Sequence, residues 1–218
     1  MTAAVDVNLE VLARELSELP EEWHGAGSVQ PSVLPALVRL TRQTQIRRSA
    51  ETGAGRTTVL LSHLSPDHTV FAIDAGGSIS AARNHPHFRA ERVRFVEGFT
   101  QRTLPQHQFP GPLDLALIDG PHGYPFPDLE YYYLYPLLNP GALLVLDDIH
   151  IPTVRHIFDF LSEDAMFRLE EVAGETAFFR RTDAPTFSPE CDGWWEQRYN
   201  TARFPLPAPG TPAATSAP

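Results

Sequence analysis

Short apolar runs that recur along the middle of the chain are the clearest structural signal in its 218 residues. Between residues 46 and 182, six segments each have the length of one β-strand: HTVFAID, RVRFVEG, LDLALID, GALLVLDD, FRLEEVAG and ETAFFRR. Stretches that suit helices lie between the runs, at residues 57–64, 78–84, 128–138 and 153–161. Near-continuous apolar strands that alternate with helices predict a mainly parallel sheet covered on both faces.

The last two apolar runs are joined only by a short turn around Gly174. So short a connection allows only antiparallel pairing, and the sheet is therefore predicted to end in a hairpin. Before the sheet, residues 5–19 and 31–45 carry leucine and valine at helical spacing and predict two helices. We expect three parts: an N-terminal helical extension that serves as a lid (1–45), a sheet core (46–182), and a docked C-terminal segment with a disordered tail (183–218).

Composition excludes several classes of protein. The formal net charge is -10, and the 17 basic residues are all arginines spread along the chain, so no basic cluster is present to neutralise a nucleic-acid backbone. The single cysteine, Cys191, allows no internal disulfide and fits a reducing compartment. No apolar run approaches the roughly 20 residues that span a bilayer. We expect a cytoplasmic protein that binds neither nucleic acid nor membrane and offers surface for a homodimer.

A glycine-rich turn, Glu51-Thr52-Gly53-Ala54-Gly55-Arg56-Thr57-Thr58, precedes the first helix of the core. Glycine permits a sharp strand-to-helix turn and lets a ligand approach the main chain closely. The next strand ends in Asp74, whose carboxylate can accept hydrogen bonds from both hydroxyls of a ribose. Glu51 would repel phosphates but suits a ligand that carries positive charge. S-adenosylmethionine is such a nucleoside, since its sulfonium and its amino group are both cationic.

Other interpretations of this turn stay open. Gly53 and Gly55 can make a tight turn without any ligand, with Glu51 as a solvated strand end. A nucleotide-dependent oxidoreductase would favour a third glycine where Thr58 stands, and a chain without lysine has no Tyr-x-x-x-Lys pair. A cofactor-binding protein without catalysis is a further alternative on the same fold.

The E-x-G-x-G turn followed by Asp74 resembles motif I and its acidic successor in class I methyltransferases. The segment VEGFTQ with Leu104-Pro105 resembles the adenine-side loop of the catechol-type small-molecule O-methyltransferases, and LDLALIDGPHGYP and LLNPGALLVLDDI resemble their fourth and fifth strands. The resemblance covers about residues 49–181 and implies a Rossmann-like, doubly wound sheet of seven strands. It implies that S-adenosylmethionine binds at the strand ends through Glu51, Gly53, Gly55, Thr57, Asp74, Thr100, Gln101 and Asp119.

Three aspartates follow two neighbouring strands of this pattern: Asp119, Asp147 and Asp148. Residues that end neighbouring parallel strands point into one crevice, and carboxylate oxygens suit a hard cation such as Mg²⁺ or Ca²⁺. In the catechol-type enzymes the matching positions hold two aspartates and an asparagine that bind a divalent metal, so Asp148 adds a negative charge here. The same acids can instead cap turns or helices.

His122, three residues beyond Asp119, is the predicted catalytic residue. The resembling enzymes use lysine as the group that removes the substrate proton, and this chain contains none. Histidine titrates near neutral pH and can accept a proton from a hydroxyl, although a neighbouring carbonyl can also satisfy it. We expect an enzyme that transfers a methyl group from S-adenosylmethionine to an oxygen of a small hydroxylated acceptor, with a divalent metal as an aid. The identity of that acceptor stays open.

Overall fold

Seven strands form one sheet in the part of the chain that the computed structural model describes, residues 7–42 and 44–203. They are β1 (Arg48–Thr52), β2 (Asp67–Ala72), β3 (Val93–Glu97), β4 (Leu113–Ile118), β5 (Leu138–Leu146), β6 (Phe167–Ala173) and β7 (Thr176–Arg181). The strand order is β3-β2-β1-β4-β5-β7-β6. The first five strands pair in parallel, and β7 pairs antiparallel with both β5 and β6. The predicted parallel sheet with a C-terminal hairpin is confirmed.

The helices are α1 (Leu9–Ser17), α2 (Val33–Thr41), α3 (Arg56–Leu64), α4 (Ser78–Asn84), α5 (Thr100–Thr103), α6 (Phe126–Leu134), α7 (Pro152–Glu163) and α8 (Arg198–Arg203). Helix α1 begins later than predicted because Asn8 caps it: the Asn8 Oδ1 accepts a hydrogen bond from the Glu10 amide at 3.0 Å. Residues 5 and 6 of the predicted helix lie outside the described residues. Helix α6 is shorter than the predicted 128–138, since Pro136 has no amide hydrogen with which to continue it.

Two apolar layers cover the sheet, one on each face. Side chains alternate along β4, so that Leu115 and Leu117 belong to one layer and Ala116 and Ile118 to the other. The N-terminal helices α1 and α2 pack with α3 over the Leu115 face. Helices α6 and α7 cover the opposite face. The sequence did not indicate what the N-terminal helices pack against. In the structure they pack against α3 and the sheet.

The C-terminal segment contacts the second layer. The Tyr135 hydroxyl donates to the Phe187 carbonyl oxygen at 3.0 Å, and the Tyr199 ring meets the edge of Phe160 with ring centroids 5.4 Å apart. The predicted tail beyond residue 203 lies outside the described residues. Within residues 7–42 and 44–203, every helix is too short or too polar to cross a membrane.

Strand β1 lies beside β2 on one side and β4 on the other, so the strand order reverses between β1 and β4. Their carboxyl ends are level, because Thr52 pairs with Ile118 and with Phe71. In an open parallel sheet, ligands bind in the crevice outside such a reversal point. The fold therefore places the segments after β1, β2, β4 and β5 around one crevice.

Candidate active site

A cavity of about 450 Å³ opens at this reversal point. Its volume falls within the range of small-molecule and cofactor sites, roughly 300–1,000 Å³. Its walls come from the segments that follow β1, β2, β3, β4 and β5, and from the N-terminal segment. Seven of the residues singled out from the sequence line it: Gly53, Thr100, Gln101, Asp119, His122, Asp147 and Asp148.

Gly53 is required by the close approach of the β1 and β4 ends. Its φ of +85° lies in the left-handed region, and a Cβ at this position would overlap the carbonyl oxygen of Asp119. Gly55 has another neighbour, since a Cβ there would lie 2.9 Å from the Nε2 of His24. Gly55 and Thr57 are both buried and absent from the cavity lining. The glycine turn therefore brings β4 close to β1 and packs against the N-terminal segment.

Glu51 lies in the interior, away from the cavity surface. Its side chain is fully buried, and its Oε1 accepts a hydrogen bond from Thr58 and lies 3.2 Å from the Nε2 of His68. Its Oε2 has no hydrogen-bond partner among the described residues. Side chains alternate along β1, so Glu51 points under α3. The sequence predicted that Glu51 contacts a cationic ligand directly, and this buried placement does not provide that contact.

Asp74 lies at the cavity margin, between the lining residues Ile73 and Ala75. Its carboxylate caps α4: Oδ1 accepts from the Ile79 amide at 2.9 Å, and Oδ2 accepts from the Ser80 hydroxyl at 2.6 Å. The Ser80 hydrogen bond lowers the pKa of Asp74 below its usual value. The group is exposed and ionised at the predicted strand end, and its role toward a ribose stays a prediction.

Thr100 and Gln101 form another wall, at the start of α5. The Oε1 of Gln101 is buried and has no hydrogen-bond partner among the described residues. Two apolar side chains line the cavity beside it, Ile73 and Phe99, with 44% and 51% of their surface exposed. A flat apolar ring with a hydrogen-bond donor at its edge would cover these surfaces and satisfy the amide oxygen.

His122 lies between two of the predicted acids. Its Nε2 is 2.9 Å from Oδ2 of Asp148 and 3.8 Å from Oδ1 of Asp119. Asp148 has a φ of +54°, in the left-handed region that aspartate adopts more readily than most other residues. Unusual backbone of this kind is concentrated at functional sites.

The charges in this cluster shift one another's pKa values. The neighbouring carboxyl groups of Asp119 and Asp148 raise the pKa of His122 to about 10, so its imidazole is protonated at neutral pH. The expected titration near neutrality is therefore wrong for this arrangement. Burial raises the pKa of Asp119 and of Asp147, while the pairing with His122 lowers the pKa of Asp148.

The predicted metal ligands are only partly brought together. The ligand atoms of Asp119, His122 and Asp148 all lie within 4.8 Å of one another, a spacing that fits a divalent cation. Asp147 stands outside this group, because its Oδ1 accepts a hydrogen bond from the buried Thr176 hydroxyl. The structure thus groups Asp119 and Asp148 with His122, and metal binding by Asp119, Asp147 and Asp148 stays a prediction.

Two parts of the site lie outside the predicted residue set. Residues 26–29 line the cavity, and the sequence predicted only that they belong to an N-terminal extension, 1–45, that serves as a lid. Glu130, on α6, lies behind the lining with 1% of its surface exposed. The position of Glu130 on its helix could have identified it from the sequence. Pro127, Glu130 and Leu134 share the buried stripe of α6, so this acid occupies a core-facing position.

Comparison with known proteins shows what this core is similar to. Residues 50–149 match the family described as a methyltransferase domain, and a search of curated proteins finds no match. The O-methyltransferase TomG from Streptomyces achromogenes, involved in tomaymycin synthesis and solved with S-adenosylmethionine, is 20% identical with a TM-score of 0.60, over 83% of this chain and 92% of TomG. An O-methyltransferase from Bacillus cereus, solved with S-adenosylhomocysteine, is 16% identical with a TM-score of 0.61, over 82% and 94% of the two chains.

A larger relative was solved with a metal. The MycE methyltransferase of the mycinamycin biosynthetic pathway, in complex with Mg and S-adenosylhomocysteine, is 17% identical with a TM-score of 0.51, over 83% of this chain and 58% of MycE. Residues 50–149 of the present chain therefore match a methyltransferase domain, and the chain shares its fold with these enzymes. The predicted class and the predicted seven-stranded fold are confirmed.

Proposed function

We propose that this protein transfers a methyl group from S-adenosylmethionine to an oxygen of a small hydroxylated acceptor. The observation that carries the proposal is the wall formed by Ile73, Phe99 and Gln101, where two apolar faces flank a buried amide oxygen without a partner. Adenine offers both the flat ring and the exocyclic amine that this wall would satisfy. The methyltransferase match of residues 50–149 and the S-adenosylmethionine bound to TomG support the same ligand.

In the proposed reaction the acceptor oxygen attacks the sulfonium methyl carbon, the carbon–sulfur bond breaks, and S-adenosylhomocysteine leaves. The protein has to align the two reactants and take up the hydroxyl proton, and alignment alone can contribute about 7–11 kcal/mol. Asp119 and Asp148 would hold a divalent cation, which when bound polarises the acceptor hydroxyl.

His122 is the proposed acceptor of the hydroxyl proton. It can accept that proton only as neutral imidazole, whereas in the structure its Nε2 faces the Asp148 carboxylate and its pKa is raised to about 10. Neutralising either neighbouring carboxylate would weaken this pairing and lower the pKa of the imidazole. The role of His122 thus depends on the charge of Asp119 and Asp148.

Titration calorimetry with S-adenosylhomocysteine tests the nucleoside site. We expect the native chain to bind, and Gln101→Leu to bind about tenfold more weakly, because leucine keeps the volume but leaves the ligand amine without its acceptor. Gln106→Leu is the matched control, since Gln106 is exposed and absent from the cavity lining. A native chain that fails to bind either S-adenosylmethionine or its demethylated product would exclude the proposal. Binding without methyl transfer to any hydroxylated acceptor would favour a non-catalytic cofactor-binding protein.

A further inference from the structure

We infer that Glu130 is a positioning residue that fixes the floor of the nucleoside cavity from behind, through Thr52. The inference rests on the proposed function, because Glu130 and Thr52 would determine the affinity of the cavity for the methyl donor. The sequence motifs assign Glu130 no role, and it is absent from the cavity lining.

Glu130 is joined to both central strand ends by a chain of two hydrogen bonds. The Thr52 hydroxyl donates to Oε2 of Glu130 at 2.7 Å, and the Asp119 amide donates to the same hydroxyl oxygen at 3.0 Å. Thr52 is the last residue of β1, and Asp119 directly follows β4. The carboxyl of Glu130 therefore orients the hydroxyl that holds Asp119 against β1, at the reversal point of the sheet.

The segment after β4 is built around this carboxyl. A Cβ at Gly120 would overlap the Glu130 carboxylate, so only glycine leaves room for it. Gly120 itself lines the cavity. One buried carboxyl thus contacts the end of β1 and the segment that follows β4.

Truncating Glu130 would remove this support without touching a lining atom. Without its acceptor, the Thr52 hydroxyl is free to rotate, and the Asp119 amide loses a fixed partner in a buried region where unpaired polar groups are costly. The end of β1 and the segment after β4 would then hold the nucleoside less closely. An effect of this kind changes ligand affinity, whereas a purely structural role changes only the melting temperature.

A double-mutant cycle on the full chain tests the inference, with S-adenosylhomocysteine as the probe in titration calorimetry. We expect Glu130→Ala and Thr52→Val each to weaken binding about tenfold or more. The double variant should be no weaker than the weaker single variant, because both changes break the same chain of hydrogen bonds. Glu130→Gln, which keeps an acceptor oxygen for Thr52, should recover most of the affinity. Hydrogen exchange at the Asp119 amide should become at least tenfold faster in both single variants.

Glu163→Ala is the control, because Glu163 pairs with Arg203 on the surface, far from the cavity. It should leave both the affinity and the exchange rate unchanged. The inference is overturned if Glu130→Ala binds like the native chain, if the two losses add in full, or if Asp119 exchange is unaltered. If Glu130→Ala fails to fold, the affinities of Thr52→Val and Glu130→Gln test the same inference. Failure of the native chain itself to bind would instead count against the proposed function and, with it, the inference.

Discussion

His122 and its two acidic neighbours decide what the site can do at a given pH. With Nε2 placed 2.9 Å from Asp148 and 3.8 Å from Asp119, the protonated ring is stabilised by two carboxylates. A charged imidazole attracts an anionic oxygen but cannot remove a proton. The proposed catalytic role therefore requires one of the two acids to be neutralised.

The titration of His122 can be followed directly by NMR of its ring protons. We expect a pKa far above the ordinary value, near 10 in the native chain, and a clear fall in Asp148→Asn, because the closest stabilising carboxylate is then neutral. Addition of Mg²⁺ should lower the same pKa if Asp119 and Asp148 hold the ion.

Asp128→Asn is the matched control for this measurement. It removes a carboxylate that hydrogen-bonds a different histidine, His156, at 2.7 Å, and it should leave the titration of His122 unchanged. An ordinary pKa for His122 in the native chain would contradict the arrangement of the cluster.

Individual side chains were the hardest part of the site to predict from the sequence. The residue types and their strand-end positions placed Asp119, His122 and Asp148 together, because parallel strands end at one edge of a sheet. Their charge states depend on distances of a few ångströms, which no pattern encodes. Glu51 shows the same limit: its place in the motif is clear, but its side chain points under α3 because of its register on β1.

At the scale of elements, the N-terminal segment is joined to the turn after β2 by a backbone contact. The Gly25 amide donates to the Gly76 carbonyl oxygen at 2.7 Å, and a Cβ at Gly76 would overlap the backbone of Gly25 and Ala26. Residues 26–29, which follow directly, line the cavity. The conformation of this segment and the shape of the cavity are thus coupled through Gly76.

Gly76→Ala is expected to weaken S-adenosylhomocysteine binding by about tenfold, since the new methyl group would push residues 25–29 away from the cavity. Gly77→Ala is a close control. Both glycines have positive φ, so both substitutions carry a similar backbone cost of about 1–2 kcal/mol, but a Cβ at Gly77 meets open space. Gly76→Ala should also lower the melting temperature further, because its Cβ would overlap backbone, so calorimetry is run well below both melting temperatures and should still separate the two affinities. Equal affinities would mean that the segment does not shape the nucleoside site.

Elements were predicted more reliably than side chains, for a physical reason. A strand or helix is specified by many residues that share one period, so the order of strands and helices follows from the sequence even where single positions are ambiguous. The contact between Gly25 and Gly76 involves two glycines far apart in sequence, and neither has a side chain that could signal it. The proposed lid role of residues 1–45 stays a prediction that the Gly76→Ala comparison addresses.

At the scale of the whole molecule, acids buried at the cavity floor make stability depend on pH. Burial raises the pKa of Glu130 to about 7, and the hydrogen bond from Thr52 opposes that shift. Asp119 and His122 face the same region, and the charge of His122 also lowers the pKa of Glu130. A carboxyl whose pKa is higher in the folded chain than in the unfolded chain binds its proton more tightly when folded. Its contribution to stability is complete below the unfolded value of about 4.3 and is lost as the pH rises through 7.

Glu130→Gln should therefore gain stability relative to the native chain as the pH rises from about 5 to 8. The gain approaches about 3 kcal/mol at the alkaline end, because glutamine takes no charge into the interior. Urea unfolding at several pH values measures the difference directly, and the comparison with the native chain cancels the titration of acids common to both.

Glu163→Gln provides the opposite case. The Arg203 guanidinium lowers the pKa of the exposed Glu163, so this pair stabilises the native chain more as the pH rises through the acidic range. Glu163→Gln should thus lose stability relative to the native chain as the pH rises to about 5, above which Glu130→Gln gains, and the Glu163 effect is the smaller because solvent screens it. A flat difference for Glu130→Gln would mean that Glu130 ionises at an ordinary pH, and that water reaches the cavity floor.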